Sequence, residues 1–147
     1  MADTLKKSKI EPTLKLQFYS HATVECRNLA HTRRFFEEFL GFETVRMSDV
    51  SFWARLGGDQ VIVVVESKAP QTMAFLNHNG LDVSTNAEVD AAYEAVRRDA
   101  EKWGLTKISK PMVQHGAYNF HFWDGDGNVW EIMWMDPAAL AQKPEGA

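Results

Sequence analysis

The chain has 147 residues, of which 45% are hydrophobic, and a formal net charge of −4 at pH 7. This length suits one domain with a sizeable core, and the slightly acidic balance argues against nucleic acid as a partner. No apolar run reaches membrane-spanning length, no signal-peptide pattern precedes the first predicted strand, and the single cysteine cannot form an internal disulfide. We therefore expect a soluble cytoplasmic protein that contacts neither membrane nor nucleic acid.

The order of the predicted elements occurs twice along the chain. In each copy, which we call a module, an alternating strand is followed by an amphipathic helix and then by three further strands. The predicted strands include Lys15–Arg27, Phe75–Ser84 and Leu105–Ser109. The predicted bounds are an N-terminal tail at 1–13, a single domain at 14–136 with module one at 14–66, a linker at 67–74 and module two at 75–135, and a C-terminal tail at 137–147.

Capping residues mark the ends of both predicted helices. Asn28 is a typical N-cap for the helix of module one, which carries a phenylalanine-rich stripe and ends at Gly41. In module two, the stretch from Thr85 to Glu88 is a capping box, and Gly104 ends the helix as Gly41 ends the first. The sequence therefore predicts two helices of similar design, one in each module.

A β-hairpin is predicted near the end of module two. Two runs of aromatic and branched residues flank a turn-forming cluster of Asp, Gly and Asn at 124–128. A turn centred on Asp126 pairs His121 with Glu131, so that an imidazole and a carboxylate lie about 5 Å apart at their Cβ atoms. The opposite face of this hairpin is continuously apolar and requires burial. Its members are Phe120, Phe122, Trp130, Ile132 and Trp134.

Three residues in these strands have the chemistry of metal ligands. His21 lies on the first strand of module one, and His78 occupies the matching place in module two. Each histidine lies on the strand face opposite the apolar residues that pack beneath a helix, and Glu131 lies on the last strand of module two. Two imidazoles and one carboxylate form a common ligand set for non-haem iron. We therefore predict a divalent metal bound by His21, His78 and Glu131.

Four sequence patterns together resemble those of the vicinal oxygen chelate superfamily. They are His-x-x-Val in the first strand, Phe-Phe-Glu-Glu-Phe-Leu-Gly-Phe at the end of the first helix, His-Asn-Gly-Leu-Asp-Val in module two and Asp-Gly-Asp-Gly-Asn-Val-Trp-Glu near the end. The likeness covers nearly the whole chain. This superfamily includes glyoxalase I, extradiol ring-cleavage dioxygenases, fosfomycin-resistance proteins and methylmalonyl-CoA epimerases. The resemblance implies an α+β fold in which two βαβββ modules form a cupped mixed sheet around a divalent metal.

The resemblance draws attention to the last strand of module one, because glyoxalase I and the epimerases take a fourth ligand from it. When the turns before the last strands of both modules are aligned, Val63 matches Glu131. Counting from the helix-ending glycines instead matches Glu66, on the opposite face of the strand. We predict the turn-based register, since a hairpin turn fixes register more directly than a distant helix end. Glu66 then faces away from the site.

Three protein ligands leave coordination positions for a chelating substrate and O₂. The resemblance therefore implies an iron(II)-dependent, extradiol-type ring-cleavage dioxygenase of a small catecholic substrate, with Zn, Ni or Mn as alternatives to iron. Extradiol enzymes carry an active-site tyrosine three residues before the turn aspartate, and His121 takes that place here. Because imidazole transfers protons near neutral pH, His121 and His115 are the predicted acid/base groups, with Tyr118 as a weaker candidate.

Two other functions are compatible with the same pattern. The first is a glyoxalase I-like or epimerase-like lyase or isomerase, which would use Glu66 as a fourth ligand and a different metal. The second is a metal-free protein that sequesters a drug, as bleomycin-resistance proteins do, although such a cavity needs neither the histidines nor the glutamate. Members of the superfamily often build the site across a dimer, so the resemblance also implies a homodimer.

Overall fold

Two four-stranded mixed sheets, one from each module, form the framework of the protein. The structure, a computed structural model, describes residues 11–136. The strands are β1 (His21–Cys26), β2 (Glu43–Ser48), β3 (Ser51–Arg55), β4 (Val61–Glu66), β5 (Asn79–Asp82), β6 (Met112–Gln114), β7 (Ala117–Trp123) and β8 (Val129–Met135). The strand orders are β1-β4-β3-β2 and β5-β8-β7-β6. In each sheet the first strand of the module runs parallel to the last, and the other neighbours are antiparallel.

Helices pack on one face of each sheet. They are α1 (Leu29–Arg34), which continues as a π-helix over Phe35–Leu40, then α2 (Asn86–Arg98) and α3 (Ala100–Trp103), and a short 3₁₀ turn covers Phe75–Asn77. Strand, helix and three strands thus occur twice, which confirms the predicted α+β fold of two βαβββ modules. Within residues 11–136, no helix is both long and apolar enough to cross a membrane. The predicted tails lie largely outside the described residues.

The predicted helix caps are confirmed. Asn28 Oδ1 accepts a hydrogen bond of 2.9 Å from the backbone N–H three residues on, and Gly41 ends the helical segment with φ +80°. Thr85 Oγ1 accepts the equivalent bond of the second helix at 3.2 Å, and Gly104 ends that segment with φ +68°. The second helix is interrupted at Asp99, which the sequence pattern did not predict.

Two predicted strands begin later than expected. The predicted strand over Lys15–Arg27 starts only at His21, because its parallel partner β4 begins at Val61, directly opposite His21. Residues before that point have no neighbouring strand to pair with among those described. The predicted strand over 75–84 starts at Asn79, because the 3₁₀ turn occupies its first part. Both errors concern strand ends and leave the topology unchanged.

A third predicted strand, over Leu105–Ser109, is reduced to an isolated bridge between Thr106 and Trp123. The physical reason is the conformation of Lys107, which has φ +48°. A non-glycine residue in the left-handed region cannot continue an extended strand. This segment therefore follows the edge of β7 without joining the sheet as a regular strand.

The register of the C-terminal hairpin is the predicted one. β7 and β8 pair with His121 directly opposite Glu131. Asp124 organises the turn: its Oδ1 accepts two backbone hydrogen bonds, at 2.9 and 3.0 Å, and its Oδ2 accepts one from Trp130 Nε1 at 2.9 Å. Burial raises the pKa of the Asp124 carboxyl, and these donors oppose that rise. The turn chemistry therefore fixes the pairing that brings the imidazole to the carboxylate.

A shared core joins the helix sides of both sheets. The ring of Phe36, in the π-helix of module one, lies 5.5 Å from the ring of Phe52 on β3 and 5.5 Å from that of Trp130 on β8, centroid to centroid. All three side chains are fully buried. The faces that carry His21 and Glu131 lie on the other side of their sheets, away from this core.

A polar contact also joins the modules, and we call it the inter-module latch: Asp126, Thr32 and Arg27. Asp126 Oδ2 accepts a hydrogen bond from Thr32 Oγ1 at 2.6 Å, and its Oδ1 accepts one from the Arg27 backbone N–H at 2.9 Å. Thr32 and Asp126 are both buried. The turn between β7 and β8 is therefore fastened to the start of α1 in the other module.

Candidate metal centre

The face of the second sheet that points away from the core carries a cluster of three metal-ligating side chains. His78 lies just before β5, His121 on β7 and Glu131 on β8. His78 Nε2 is 3.2 Å from Glu131 Oε2, and His121 Nε2 is 3.7 Å from Glu131 Oε1. One ligating atom from each residue lies within 4.8 Å of the others. The centre of the sheet, where three strand neighbours meet, therefore concentrates two imidazoles and one carboxylate.

Hydrogen bonding fixes the orientation of the His78 ring. Its Nδ1 lies 2.8 Å from the carbonyl oxygen of Phe75, and a carbonyl can only accept, so Nδ1 carries the proton. In the neutral ring, Nε2 then has a free lone pair directed at the cluster. A backbone carbonyl that holds the far nitrogen of an imidazole is the usual support of a metal-bound histidine. The 3₁₀ turn that displaced the predicted strand supplies this carbonyl.

His121 is the most buried member of the cluster, with a side chain only 5% exposed. Its ring packs 4.6 Å from the Phe75 ring and 4.8 Å from the His78 ring. Burial lowers the pKa of His121, an effect that nearby Glu131 opposes. The neutral imidazole is the form that binds metal, and its buried Nε2 has no hydrogen-bond partner.

The arrangement of the three residues fits a divalent cation. Ligand atoms about 2.0–2.2 Å from one ion are separated from each other by at most about 4.4 Å. The separations of 3.2 and 3.7 Å from Glu131 fall within that limit, and the group as a whole lies within 4.8 Å, so a shift of a few tenths of an ångström brings all three ligands to one ion. The orphaned Nε2 of His121 is a second indication, because buried polar atoms normally have partners. Two histidines and one carboxylate also leave positions open to a substrate.

The structure brings together two of the three predicted ligands, His78 and Glu131, and adds His121 to them. His21 lies on the first sheet, is exposed, and has its Nδ1 2.8 Å from Ser20 Oγ. Among the residues described, it belongs to no group of three ligating side chains. The predicted hairpin put His121 opposite Glu131, but the role predicted for His121 was proton transfer and not metal binding. The pairing of His121 with Glu131 was itself the signal that His121 belongs to the cluster.

The two remaining predicted acid/base candidates lie in different surroundings. His115 is exposed at the tip of the β6–β7 hairpin, with φ +49°, and lines the cavity over the cluster. Tyr118 lies on the opposite face of β7 from His121, and its hydroxyl donates a hydrogen bond of 2.7 Å to Asp90 on α2. The Tyr118 hydroxyl therefore does not reach the cluster, and the predicted acid/base role of Tyr118 does not fit this position.

The structure also supports the predicted orientation of Glu66. The loops before β4 and β8, 56–60 and 124–128, are equally long, and Trp53 pairs with Val63 as His121 pairs with Glu131. Glu66 Oε2 accepts a hydrogen bond of 2.6 Å from the Leu29 backbone N–H at the start of α1. Its carboxylate is thus directed to the helix side of the first sheet, away from the face that carries His21.

A cavity of about 270 Å³ lies over the cluster. Its walls are formed by Phe75, Leu76, Met133 and Met135, with the polar side chains of Gln114, His115 and Asn119 among them. Sequence reasoning had not singled out Asn119. Asn119 lies two residues before His121 and therefore on the same face of the strand, and this spacing was the signal that could have indicated its place in the cavity.

Comparisons with known proteins agree with this architecture. The model of the Glyoxalase/Bleomycin resistance protein/Dioxygenase superfamily matches residues 19–132. A possible glyoxalase from Bacillus cereus is 18% identical, with a TM-score of 0.67, over 81% of this chain and 100% of that chain. Fosfomycin resistance protein FosX from Mesorhizobium loti is 20% identical, with a TM-score of 0.64, and the match covers 86% of this chain and 98% of that chain.

A variant of FosX from Listeria monocytogenes, complexed with Mn(II) and a dihydroxypropylphosphonic acid, is 21% identical, with a TM-score of 0.65. The match covers 87% of this chain and 97% of that chain. A comparison with curated protein sequences gives no match. At these identities the solved structures establish a common fold, while the family model establishes membership.

Proposed function

Since the chain belongs to the Glyoxalase/Bleomycin resistance protein/Dioxygenase superfamily, we propose that it is a metal-dependent enzyme acting on a small oxygen-chelating substrate. The observation that carries this proposal is the cluster of His78, His121 and Glu131 with its orphaned Nε2 atom. A cavity that only sequesters a drug has no use for a buried imidazole nitrogen without a hydrogen-bond partner, since its burial is unfavourable. The Mn(II) complex of FosX supports a divalent cation in this fold.

In this proposal His78 Nε2, His121 Nε2 and a carboxylate oxygen of Glu131 hold the cation. When bound, the metal acts as a Lewis acid toward the substrate oxygens. The Phe75 carbonyl keeps the His78 ring oriented, and the apolar wall around His121 limits water. His115, at the rim of the cavity, is the group placed to exchange a proton between substrate and solvent.

The proposed reaction is extradiol-type cleavage of a small catechol by O₂, with iron(II) as the metal. Within residues 11–136 no fourth ligand joins the cluster, which supports this reaction, because Val63 takes the place equivalent to Glu131 and Glu66 is bonded to the start of α1. Substrate and O₂ then have open positions on the same ion. A glyoxalase-like isomerase would instead need a fourth ligand that this strand does not offer on the correct face.

Metal binding is tested first, on protein purified without chelators. Replacing His78 by Ala, His121 by Phe or Glu131 by Gln should each weaken metal binding by more than about 100-fold, beyond the effect of an outer-shell partner. His31→Ala is the matched control, since His31 is an exposed imidazole on α1 outside the cluster. If wild-type protein binds Fe(II), Mn(II), Zn(II) and Ni(II) no better than a variant that carries all three substitutions, the proposal is overturned and the drug-binding function is favoured.

The reaction is tested by oxygen uptake. Protein loaded with Fe(II) should consume O₂ with a catechol, whereas the same protein should neither isomerise the hemithioacetal of methylglyoxal and glutathione nor open fosfomycin. Turnover of either of the last two compounds without O₂ uptake would refute the dioxygenase and retain the metal enzyme. The assays are run with each metal in turn, because the reaction class and the metal are separate parts of the proposal.

A second candidate for the third ligand is His21 of a second copy of the chain, in a homodimer. It is favoured by the place of His21 in module one, equivalent to that of His78, on a face that leaves Trp53 42% exposed. If His21 binds the metal, His21→Ala should lose it and His121→Phe should keep it. The opposite result is expected for the cluster within one chain. Light scattering on the same preparations shows whether the metal changes the oligomeric state.

A further inference from the structure

Asn119 is a buried polar residue of the cavity to which neither metal binding nor proton transfer assigns a role. Its side chain is almost completely buried, with 3% exposure, and its Oδ1 atom has no hydrogen-bond partner. It lines the same cavity as His78, His121 and Glu131. A buried amide normally has partners, because leaving one of its polar atoms unpaired is unfavourable. This unsatisfied acceptor therefore points to a group that arrives with the ligand.

The position of Asn119 relative to the cluster defines where that group must lie. Asn119 is two residues before His121 on β7 and pairs with Met133, as His121 pairs with Glu131. Two residues of a strand span about 7 Å, which is close to the length of a ring with one short substituent. A ligand that reaches the metal-binding cluster with one edge can therefore reach Asn119 with the substituent on its far edge.

The walls of the cavity indicate the charge of that substituent. Phe75, Leu76, Met133 and Met135 supply apolar surface, and among the residues described the lining contains no lysine or arginine. An anionic phosphonate or carboxylate at this depth would be desolvated without a cationic partner, which is costly. A hydroxyl group suits the position better. It donates to an amide oxygen, and it also accepts from an amide nitrogen if the two ends of Asn119 are exchanged.

We propose that Asn119 selects the substrate by binding an uncharged hydroxyl group on the ring edge remote from the metal-binding cluster. The inference rests on the proposed function, since it assumes that the opposite edge of the ring is held by the metal. Asn119 is then a specificity-determining residue, and it contributes no step to the chemistry. The cavity volume of about 270 Å³ accommodates a single substituted ring, given that about 150 Å³ suffices for benzene.

Binding of two matched compounds tests the proposal without turnover. Hydroxymethylcatechol and ethylcatechol, each substituted para to one ring hydroxyl, have nearly the same shape and differ by one hydroxyl group. Calorimetry is performed on protein loaded with Zn(II), which is redox-inert. Wild-type protein should bind hydroxymethylcatechol about 10-fold more tightly than ethylcatechol, and should bind the carboxylate analogue protocatechuate more weakly than hydroxymethylcatechol.

Asn119→Leu should abolish this preference while keeping Zn(II) and an unchanged or higher melting temperature, because it replaces an unpaired buried amide by a side chain of similar size. Val113→Thr, at an exposed position on β6, is the matched control and should keep the preference. Equal binding of the two catechols by wild type, or an unchanged preference in Asn119→Leu, overturns the role of Asn119. Tighter binding of protocatechuate overturns the uncharged substituent. Failure to bind either catechol with Zn(II) in place overturns the proposed substrate as well.

Discussion

The inter-module latch is expected to be one of the main polar contributions to the stability of the protein. Asp126→Ala removes the acceptor of two hydrogen bonds, one from the Thr32 hydroxyl and one from the Arg27 backbone N–H, and leaves Thr32 only the weaker sulfur acceptor of Cys26. Each buried polar group left unpaired costs about 1–3 kcal/mol, and Thr32 is 1% exposed whereas Arg27 is at the surface. The free energy of unfolding should therefore fall by about 2–4 kcal/mol.

A double-mutant cycle isolates the contact between the two modules. Thr32→Val replaces the hydroxyl by a methyl group of similar shape, so its own cost should be smaller than that of Asp126→Ala. Because a hydrogen bond to a charged group contributes about 1.5–3 kcal/mol, the two substitutions should be coupled by about 1 kcal/mol or more. Urea unfolding, followed by the fluorescence of buried Trp103 and Trp130, measures all four proteins.

The control for this cycle is Asp59→Ala, in the exposed loop between β3 and β4, which should change stability by less than about 0.5 kcal/mol. Additive effects of Asp126→Ala and Thr32→Val, within about 0.3–0.5 kcal/mol, would refute the reasoning, since residues in direct contact should couple. A change in the denaturant slope would indicate instead that the modules unfold separately.

Three further predictions concern pH, metal and core. Burial lowers the pKa of His121 below its usual 6.5, so the unfolded chain binds the proton more tightly. The free energy of unfolding of the metal-free protein should therefore fall as the pH drops below about 6.5. Urea titrations should show a smaller fall for His121→Gln than for wild type, and equal pH profiles of the two proteins would contradict the role of His121. Glu66→Gln should leave the metal content, measured by elemental analysis, unchanged, because a glutamine oxygen still accepts the hydrogen bond from the Leu29 backbone N–H at the start of α1. A large loss of metal would favour the isomerase. Phe36→Ala should cost about 3–5 kcal/mol in urea unfolding, with Phe36→Leu much milder, and a loss under about 1 kcal/mol would contradict the shared core.

Local signals in the sequence were sufficient for the parts of the fold that are built locally. The caps at Asn28 and Thr85 and the turn at 124–128 each act within a few residues, and each was predicted correctly. The strand over 105–109 was wrong because the left-handed Lys107 has no sequence signal comparable to glycine. Predictions from pattern thus succeeded where the responsible residues and their partners are close in the chain.

Contacts between the modules could not be predicted in this way. Thr32 and Asp126 are 94 residues apart, and nothing in the pattern of either segment indicates the other. The same holds for Phe36 and Trp130, which were each expected to be buried but not against each other. For the site, alternation placed His121 beside Glu131, whereas its proximity to His78 depends on the parallel pairing of β5 with β8.

The difference between the two modules explains why a duplicated fold carries one cluster of ligands. At the positions that hold His121 and Glu131 in module two, module one has Trp53 and Val63, paired in the same register. Neither side chain binds metal, so the equivalent face of the first sheet lacks ligands at these two positions, and Trp53 and Val45 on it are more than one-third exposed. Module two therefore supplies the ligands, and the cavity over them is lined by residues between Phe75 and Met135, all of which belong to that module. In the proposed function, a chelating substrate would thus be bound by one module of the duplicated fold.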